Sequence, residues 1–383
     1  MIQPFEGWVY RMQPKVAPVR DALSPSQAHR LRADPQQAIH IAFPECREEL
    51  PRTWQQWLLQ KVLRQEPLPT LYAYSQTFSR YGERHTLSQR IGVIGLLPTE
   101  APLLPHEALL PDRLQGIQEN LTQLPLQATP IHLLSFGDWA SIFPLLQSYL
   151  VCPEFIHGGE DGVMHRWVPI HHLGHQKLIQ EAIGKGPFYI ADGHHRWAAA
   201  RLAGLHYLLV YVTPIDDPTL VLIPTHRLWH GPESPLPLLS RYFSVQESAA
   251  RVPLWQEVRG LRHAIGVVSP EGRIYTARLR PSYWEKLQHR PLISWLHEWV
   301  LDVLFGEIVF SREAALLIQQ ASEGQGWAFI LPEMPFSYVK KAAEEGWTLP
   351  PKTTYFFPKV LSGLCFYYET NSHLSLSEAK GAS

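Results

Sequence analysis

Five consecutive residues near the middle of the chain combine the groups that an anion-binding turn needs: Asp192, Gly193, His194, His195 and Arg196. Glycine lets the backbone turn tightly, and the first amides of a following helix have no partners inside that helix. An arginine in the first turn adds a planar donor that suits phosphate. The turn therefore predicts a phosphate site, with His195 a candidate proton relay and Asp192 a candidate to orient a hydroxyl group or hold Mg²⁺.

A structural interpretation of the same residues stays open. In that interpretation Asp192 caps the helix, the two histidines pack in the interior, and Arg196 pairs with a surface carboxylate.

The residues around the turn predict the elements that must position it. Residues 188–191 form an apolar strand, an alanine-rich helix runs from Trp197 to about Leu202 with Gly204 as its C-terminal cap, and 207–212 return as a strand. Strand, glycine turn, helix and strand make an α/β unit, which places the turn where a ligand site usually lies.

Three further segments carry candidate site residues. Glu107 follows His106 in a predicted loop, where it can serve as a general base or metal ligand, or as a solvated loop residue. His226 and Arg227 follow an apolar run, and a second arginine there would neutralise a phosphate; otherwise they end a strand. Lys359 lies beside an aromatic segment and can reach an anion as a point charge, or lie on the surface.

Three histidines close together, His171, His172 and His175, raise a metal-site hypothesis, because positions 171 and 175 would share one helix face. Gly174 argues against that helix. A metal-dependent hydrolase built from the 19 histidines stays as a third functional hypothesis. The sequence contains neither a P-loop lysine signature nor a GxSxG nucleophile elbow.

Composition bounds the class of protein. The 383 residues are 45% hydrophobic and 18% charged, which predicts a globular chain of two domains. The 34 basic and 35 acidic residues leave a net charge of −1, so no overall field attracts nucleic acid or an anionic membrane. The 3 cysteines are widely spaced and indicate neither disulfides nor a zinc site. No stretch is typical of a leader or a membrane span, so we expect a cytoplasmic protein.

The proline-rich segment 231–237 predicts a boundary between domains. We expect an N-terminal α/β domain over 1–230 that holds the phosphate turn. A smaller C-terminal α+β domain is expected over 238–370, followed by a flexible polar tail over 371–383.

Hydrophobic periodicity predicts the main elements of both domains. In the N-terminal domain we expect a strand over 39–43, a helix from about Thr53 to Val62, and neighbouring strands over 71–78 and 91–97. Further predicted segments are strands over 165–170, 263–268, 273–279, 306–310, 327–331 and 363–368, and helices over 176–183, 292–304, 312–320 and 336–345.

Residues 190–204 resemble the GERRxxAAxxAG-type phosphate turn and helix of the ParB/sulfiredoxin superfamily, and more closely the DGHxR turn of its free-serine kinase branch. Over almost the whole chain, the sequence is identified as a member of the uncharacterised family numbered 1015 among the domains of unknown function. The motifs that carry this second resemblance are Pro4-Phe5, Tyr72-Ala73-Tyr74-Ser75-Gln76-Thr77-Phe78, Pro105-His106-Glu107, Thr129-Pro130-Ile131, Asp192-Gly193-His194-His195-Arg196, Pro224-Thr225-His226-Arg227 and Pro351-Lys352-Thr353-Thr354-Tyr355-Phe356-Phe357-Pro358-Lys359.

These resemblances imply a nucleotide-binding phosphotransferase that moves a phosphoryl group from ATP or ADP, with Mg²⁺, to a small hydroxyl compound such as free serine. Arg196 and Arg227 would neutralise the developing charge, and Glu107 or Glu181 would accept the hydroxyl proton. Glu181 is included because it lies on the helix before the turn, roughly where the kinase branch keeps its base. The expected partners are a nucleotide and a small substrate, and the oligomeric state stays open.

The alternative is a non-catalytic, ParB-like protein that binds nucleotides or associates with DNA as a regulator. Chromosome-partition members of the superfamily follow the phosphate turn with a basic helix-turn-helix. Here the chain after Gly204 returns to a predicted strand and then to the proline-rich segment, which disfavours nucleic-acid binding.

One segment departs from the family pattern. Members usually carry a Pro-Pro-Tyr-Asp-like sequence near the start, where this chain has Ala17-Pro18-Val19-Arg20-Asp21. If that segment shapes the pocket in relatives, activity or substrate choice differs here.

Overall fold

The computed structural model describes residues 1–79, 86–248, 254–258 and 260–370, and the chain divides into two compact units. The first unit contains 1–104, 109–221 and the chain from 358; the second contains 105–108 and 222–357. The proline-rich segment 231–237 thus lies inside the second unit, where it leads from one strand into a helix. The tail predicted over 371–383 lies outside the described residues.

The first unit is a mixed sheet with helices. Its strands are β1 (Trp8–Tyr10), β2 (Leu63–Gln65), β3 (Leu71–Ser79), β4 (Leu87–Pro98), β5 (Leu103–Leu104), β6 (Leu126–Gln127), β7 (Ile131–Ser135), β8 (Phe155–Gly158), β9 (Met164–Ile170), β10 (Phe188–Asp192) and β11 (Tyr207–Pro214). Its helices are α1 (Pro25–Arg32), α2 (Ile39–Ala42), α3 (Leu50–Leu59), α4 (Pro111–Gln123), α5 (Trp139–Leu150), α6 (Leu173–Ile183) and α7 (His194–Leu202).

The second unit adds strands β12 (Val221–Leu222), β13 (His226–His230), β14 (Phe243–Glu247), β15 (Ala264–Val268), β16 (Ile274–Leu279), β17 (Glu307–Ser311), β18 (Trp327–Ile330) and β19 (Phe356–Phe357), and the chain then returns to the first unit in β20 (Tyr367–Tyr368). The helices of the second unit are α8 (Leu236–Tyr242), α9 (Leu254–Val258), α10 (Leu292–Leu296), α11 (Ala314–Gln320) and α12 (Phe336–Glu345).

Eight strands of the first unit form one sheet in the order β5-β10-β7-β11-β4-β3-β9-β8. Alternation along β3 gives the sheet two apolar faces, because successive side chains point to opposite sides. Leu71 and Ala73 pack in the cluster that contains residues of α5, α6 and α7. Tyr72 and Tyr74 pack in the other cluster, with Val360 and its neighbours from the end of the chain.

The second unit is built on a six-stranded antiparallel sheet in the order β14-β16-β15-β18-β13-β17. One of its apolar clusters contains Leu296 and Val300, and another contains Val258 and Leu317.

The structure confirms the mixed α and β architecture and the helix predicted over 336–345. It also confirms that the strands predicted over 71–78 and 91–97 are neighbours, and it shows that they pair antiparallel. The strand predicted over 39–43 is wrong, because Ile39–Ala42 form a short helix with both isoleucines buried. A run of five residues is too short for its period to distinguish strand from helix. Helix α6 includes Gly174, contrary to the expectation that this glycine would exclude a helix. Within the described ranges, no helix is both long and apolar enough to cross a bilayer.

Candidate active site

An irregularity at the end of β10 sets the direction of Asp192. Ile190 pairs with Leu133 of β7, but Asp192 pairs with the very next residue, His132, so Ala191 is an extra residue in the strand. Regular alternation would put Asp192 on the same face as Ile190, which packs with α7. The extra residue instead brings Asp192 to the face covered by the end of the chain.

Gly193 makes the turn between Asp192 and helix α7. Its φ of 104° lies in the region that side-chain-bearing residues rarely adopt. The Trp197 amide donates to the Gly193 carbonyl oxygen at 2.9 Å, so Arg196 lies in the first turn. From there Nη2 of Arg196 donates to Oδ2 of Asp192 at 2.7 Å and to the Pro130 carbonyl oxygen at 3.4 Å.

Lys359 contributes a second cation to the same carboxylate, because its Nζ donates to Oδ1 of Asp192. Buried side chains of the central sheet hold the backbone on which this lysine lies. Nε2 of Gln76 donates to the Lys359 carbonyl oxygen at 2.8 Å, and Nη1 of Arg90 lies 3.5 Å from the Pro358 carbonyl oxygen. Gln76 and Arg90 are fully buried.

This cluster of two cations and one carboxylate is largely screened from water. The Lys359 side chain is 7% exposed, and those of Asp192 and Arg196 are each 20% exposed. Burial alone would raise the pKa of Asp192, but the charges of Lys359 and Arg196 outweigh it and hold that pKa well below its usual range. The cluster therefore keeps a surplus positive charge beside the N-terminal end of α7.

The surroundings of Asp192 do not fit a protein-held Mg²⁺ ion. Each of its side-chain oxygens already accepts a hydrogen bond from a cation, and Mg²⁺ prefers several oxygen ligands. Within the described ranges, no group of three His, Cys, Asp or Glu residues is placed to hold a metal. His172 instead caps α6 by accepting from the His175 amide at 3.2 Å.

The two histidines of the turn are buried. Burial lowers the pKa of His194 to about 3, so this side chain is neutral near pH 7 and adds no positive charge. Nε2 of His195 accepts the Leu110 amide at 2.8 Å, immediately before α4. That hydrogen bond occupies the lone pair that a proton relay would use, and it ties α4 to α7.

A cavity of about 260 Å³ in the first unit is lined by Arg196 and by three other arginines, Arg20, Arg47 and Arg113, against the two carboxylates of Glu45 and Asp112. Its apolar lining includes Ile41, Phe43, Ile117 and Leu121. The buried Nε of Arg196 has no hydrogen-bond partner within the part of the chain that the structure describes. The cavity lining thus combines basic and apolar side chains.

The segment that departs from the family pattern takes part in this cavity. Arg20 lies in its lining, and Asp21 accepts from Nη1 of Arg113 at 2.7 Å. Arg47 is held in turn by Glu119 at 2.6 Å. Residues 17–21 therefore help to determine which charges the cavity presents.

Glu107 and its neighbour lie in the second unit. The Glu107 carboxylate accepts from the backbone amides of Lys352 and Thr354 at 3.1 and 3.2 Å, and from the Thr354 hydroxyl at 2.9 Å. Nε2 of His106 lies 3.1 Å from the same hydroxyl. Glu107 thus fastens the 105–108 segment to the 351–354 loop.

His226 and Arg227 lie on β13 of the second unit. Nδ1 of His226 accepts the Leu331 amide at 3.0 Å, and burial lowers the pKa of His226 to about 4. Arg227 is fully buried, and it donates to the carbonyl oxygens of Thr225 and Pro351 and to His297. Burial lowers its pKa to about 9. These contacts give both residues structural partners inside that unit.

Glu181 is not brought to the Asp192 cluster. Its side chain is 58% exposed and lies 3.9 Å from Lys177, one turn earlier on α6. Helix α6 packs on the face of the sheet that contains Ile190, whereas Asp192 meets Lys359 on the other face.

Sequence reasoning did not identify Gln76 and Arg90, which hold the segment that carries Lys359. Both lie in strands whose neighbouring residues are almost all buried. A charged or amide side chain inside such a strand is the signal that could have found them, because a buried polar group needs a partner.

The fold and the site together define a two-unit α/β protein with a cationic strand–turn–helix site. The chain belongs to the family described as "Protein of unknown function (DUF1015)", whose sequence profile matches residues 2–303. No curated protein matches the chain significantly.

Solved structures resemble the chain at low sequence identity. One is described as "Free serine kinase in complex with AMP", with 14% identity, a TM-score of 0.42, and coverage of 71% of this chain and 92% of that one. A conserved hypothetical protein from Pyrococcus furiosus has 14% identity, a TM-score of 0.41 and coverage of 70% and 94%. SbnI with a C-terminal truncation, from Staphylococcus aureus, has 11% identity, a TM-score of 0.39 and coverage of 76% and 90%.

Proposed function

We propose that the first unit binds the phosphates of a nucleotide, ATP or ADP, and that the protein transfers a phosphoryl group to a small hydroxyl compound. The observation that carries this proposal is the pair of cations, Arg196 and Lys359, that share the single carboxylate of Asp192 at the start of α7. Their surplus charge and the helix dipole attract an anion to the same point.

Arg196 is the principal phosphate ligand in this proposal. Its Nη2 is fixed by Asp192, and its side chain contributes to the lining of the arginine-lined cavity. A guanidinium held in place by a carboxylate loses little freedom when it binds, which is the requirement for stabilising charge in a phosphoryl-transfer transition state.

The apolar residues of the cavity lining support a nucleoside rather than a bare phosphate as the ligand. Ile41, Phe43 and Ile117 offer apolar surface to a base, while the arginines meet the charged end. The resemblance of the 192–196 turn to the free-serine kinase branch agrees with this arrangement and makes serine the first acceptor to test.

The proposal names no proton acceptor from the two candidates. Glu181 lies on the opposite face of the sheet from the cluster, and the Glu107 carboxylate fastens a loop of the second unit. The regulatory alternative gains nothing from the fold around the turn, since α7 is followed by strand β11 and not by a helix-turn-helix.

A turnover experiment tests the proposal. The full chain is incubated with ATP or ADP and with serine or another small hydroxyl compound, with and without Mg²⁺, and the products are followed by ³¹P NMR. We expect a phosphorylated acceptor, lost in Arg196→Ala and kept in the control Arg201→Ala, which changes a more exposed arginine of the same helix. The proposal would be overturned if no phosphorylated product forms and no nucleotide binds under any of these conditions.

A further inference from the structure

A second cavity in the first unit has several tryptophan and tyrosine side chains in its lining. It measures about 760 Å³ and is lined by residues of strand β1, helix α3 and strand β20. We call it the aromatic cleft, defined by Trp8, Trp54, Tyr207, Tyr367, Glu6 and Glu369. None of these residues contributes to the proposed nucleotide site.

The rings of the aromatic cleft form two nearly perpendicular pairs. Trp8 and Trp54 have centroids 5.9 Å apart at 82°, and Tyr207 and Tyr367 have centroids 6.4 Å apart at 88°. Perpendicular rings present both faces and edges, and the faces carry partial negative charge. Aromatic ring faces attract alkylated ammonium ions.

The charged side chains of the aromatic cleft favour a cation. Glu369 is only 3% exposed, and its carboxylate accepts from the His206 amide at 2.9 Å and from Nδ1 of His206 at 2.7 Å. Glu6 adds a second, exposed carboxylate. The described residues of the lining include no lysine and no arginine. Among the described lining residues, a cation therefore meets two carboxylates and the imidazole of His206, whereas an anion would be repelled.

We propose that the aromatic cleft binds an alkylated ammonium compound, with its methyl groups against Trp8 and the tyrosines and its charge facing Glu6 and Glu369. Apolar contact and ring attraction favour the alkyl groups, and the carboxylates distinguish the cation from a neutral compound of the same shape. This site is independent of nucleotide binding, so either proposal can fail without the other.

Calorimetric titration of the full chain with choline, and with its neutral isostere 3,3-dimethyl-1-butanol, tests this inference. We expect saturable choline binding and at least about tenfold weaker binding of the isostere. Trp8→Leu should weaken choline binding about tenfold, and Glu6→Gln should weaken it with little risk to folding because Glu6 is exposed. Trp284→Leu, which removes a half-exposed tryptophan of the second unit, is the matched control and should bind choline as the wild type does.

Two results would overturn the proposal. Equal affinity for choline and the isostere would show an apolar groove without cation recognition. No saturable choline signal at millimolar concentrations would show that the cleft does not bind an ammonium compound.

Discussion

Nζ of Lys359 contacts Oδ1 of Asp192 across 167 residues of sequence, and Arg196 holds the other oxygen of the same carboxylate. The contact requires two separate features. The extra residue in β10 turns Asp192 to the correct face, and Gln76 and Arg90 hold the backbone of the returning segment. The cationic site is therefore assembled from segments of the first unit that are far apart in the sequence.

Removing Lys359 tests the energetic role of this contact. Lys359→Met leaves Asp192 with one cation in a poorly hydrated environment, so we expect a loss of about 1–3 kcal/mol in the free energy of unfolding. Asp192→Asn should lower the free energy of unfolding less in the Lys359→Met background than in the wild type. A double-mutant cycle by urea unfolding measures this difference. Additive effects would show that the two side chains do not stabilise each other.

The buried side chain of His194 should make the free energy of unfolding depend on pH. The pKa of His194 is lowered to about 3, against about 6.5 for an unfolded chain, so only the unfolded chain takes up this proton between those values. The free energy of unfolding should therefore fall as the pH falls, by about 2 kcal/mol between pH 7 and pH 5 from this residue. Urea unfolding of His194→Gln should lack that contribution, while His29→Gln, which changes an exposed histidine, should keep it. Identical pH slopes in the wild type and His194→Gln would contradict the argument.

Two glycines at opposite ends of α7 form a matched pair. Gly193 and Gly204 both have positive φ, of 104° and 72°. A Cβ at position 193 would lie 2.8 Å from Nη2 of Arg196, whereas a Cβ at 204 would meet nothing within 4 Å. Gly204→Ala should cost about 1 kcal/mol of stability and leave ligand binding unchanged. Gly193→Ala should cost more and also weaken nucleotide binding, because Arg196 must move. Equal effects of the two substitutions on binding, measured by calorimetry, would count against the role of Arg196.

The role of Glu107 in fastening the 351–354 loop can be tested by substitution. Glu107→Ala removes the acceptor of two backbone amides and should destabilise the second unit by about 1–3 kcal/mol, measured by thermal unfolding. Glu107→Gln keeps one acceptor oxygen and should cost less stability. Equal thermal stability of the wild type and Glu107→Ala would contradict this role.

The order of local elements around the site could be predicted because periodicity and glycines mark it. The strand that ends at Asp192 lies where the sequence indicates. The helix ends at Leu202 as expected, but it begins at His194, three residues before the predicted start. The direction of Asp192 could not be predicted, since regular alternation places it on the other face. The contact between Asp192 and Lys359 could not be predicted either, because the sequence places Lys359 in the C-terminal domain.

Burial was the other quantity that the sequence did not reveal. The sequence predicts Arg227 as a second phosphate ligand and gives no sign that its guanidinium donates to carbonyl oxygens and an imidazole in the interior. Whether an arginine faces a ligand or the interior depends on packing between distant segments. The residue type alone does not indicate which of the two occurs.

Calorimetric titration with ADP is the most direct test of the central claim that Arg196 holds a phosphate group at the start of α7. We predict saturable binding to the wild type and to Arg201→Ala, and affinity reduced at least about tenfold in Arg196→Ala, since hydrogen bonds to charged groups contribute about 1.5–3 kcal/mol. Unchanged affinity in folded Arg196→Ala would contradict the account.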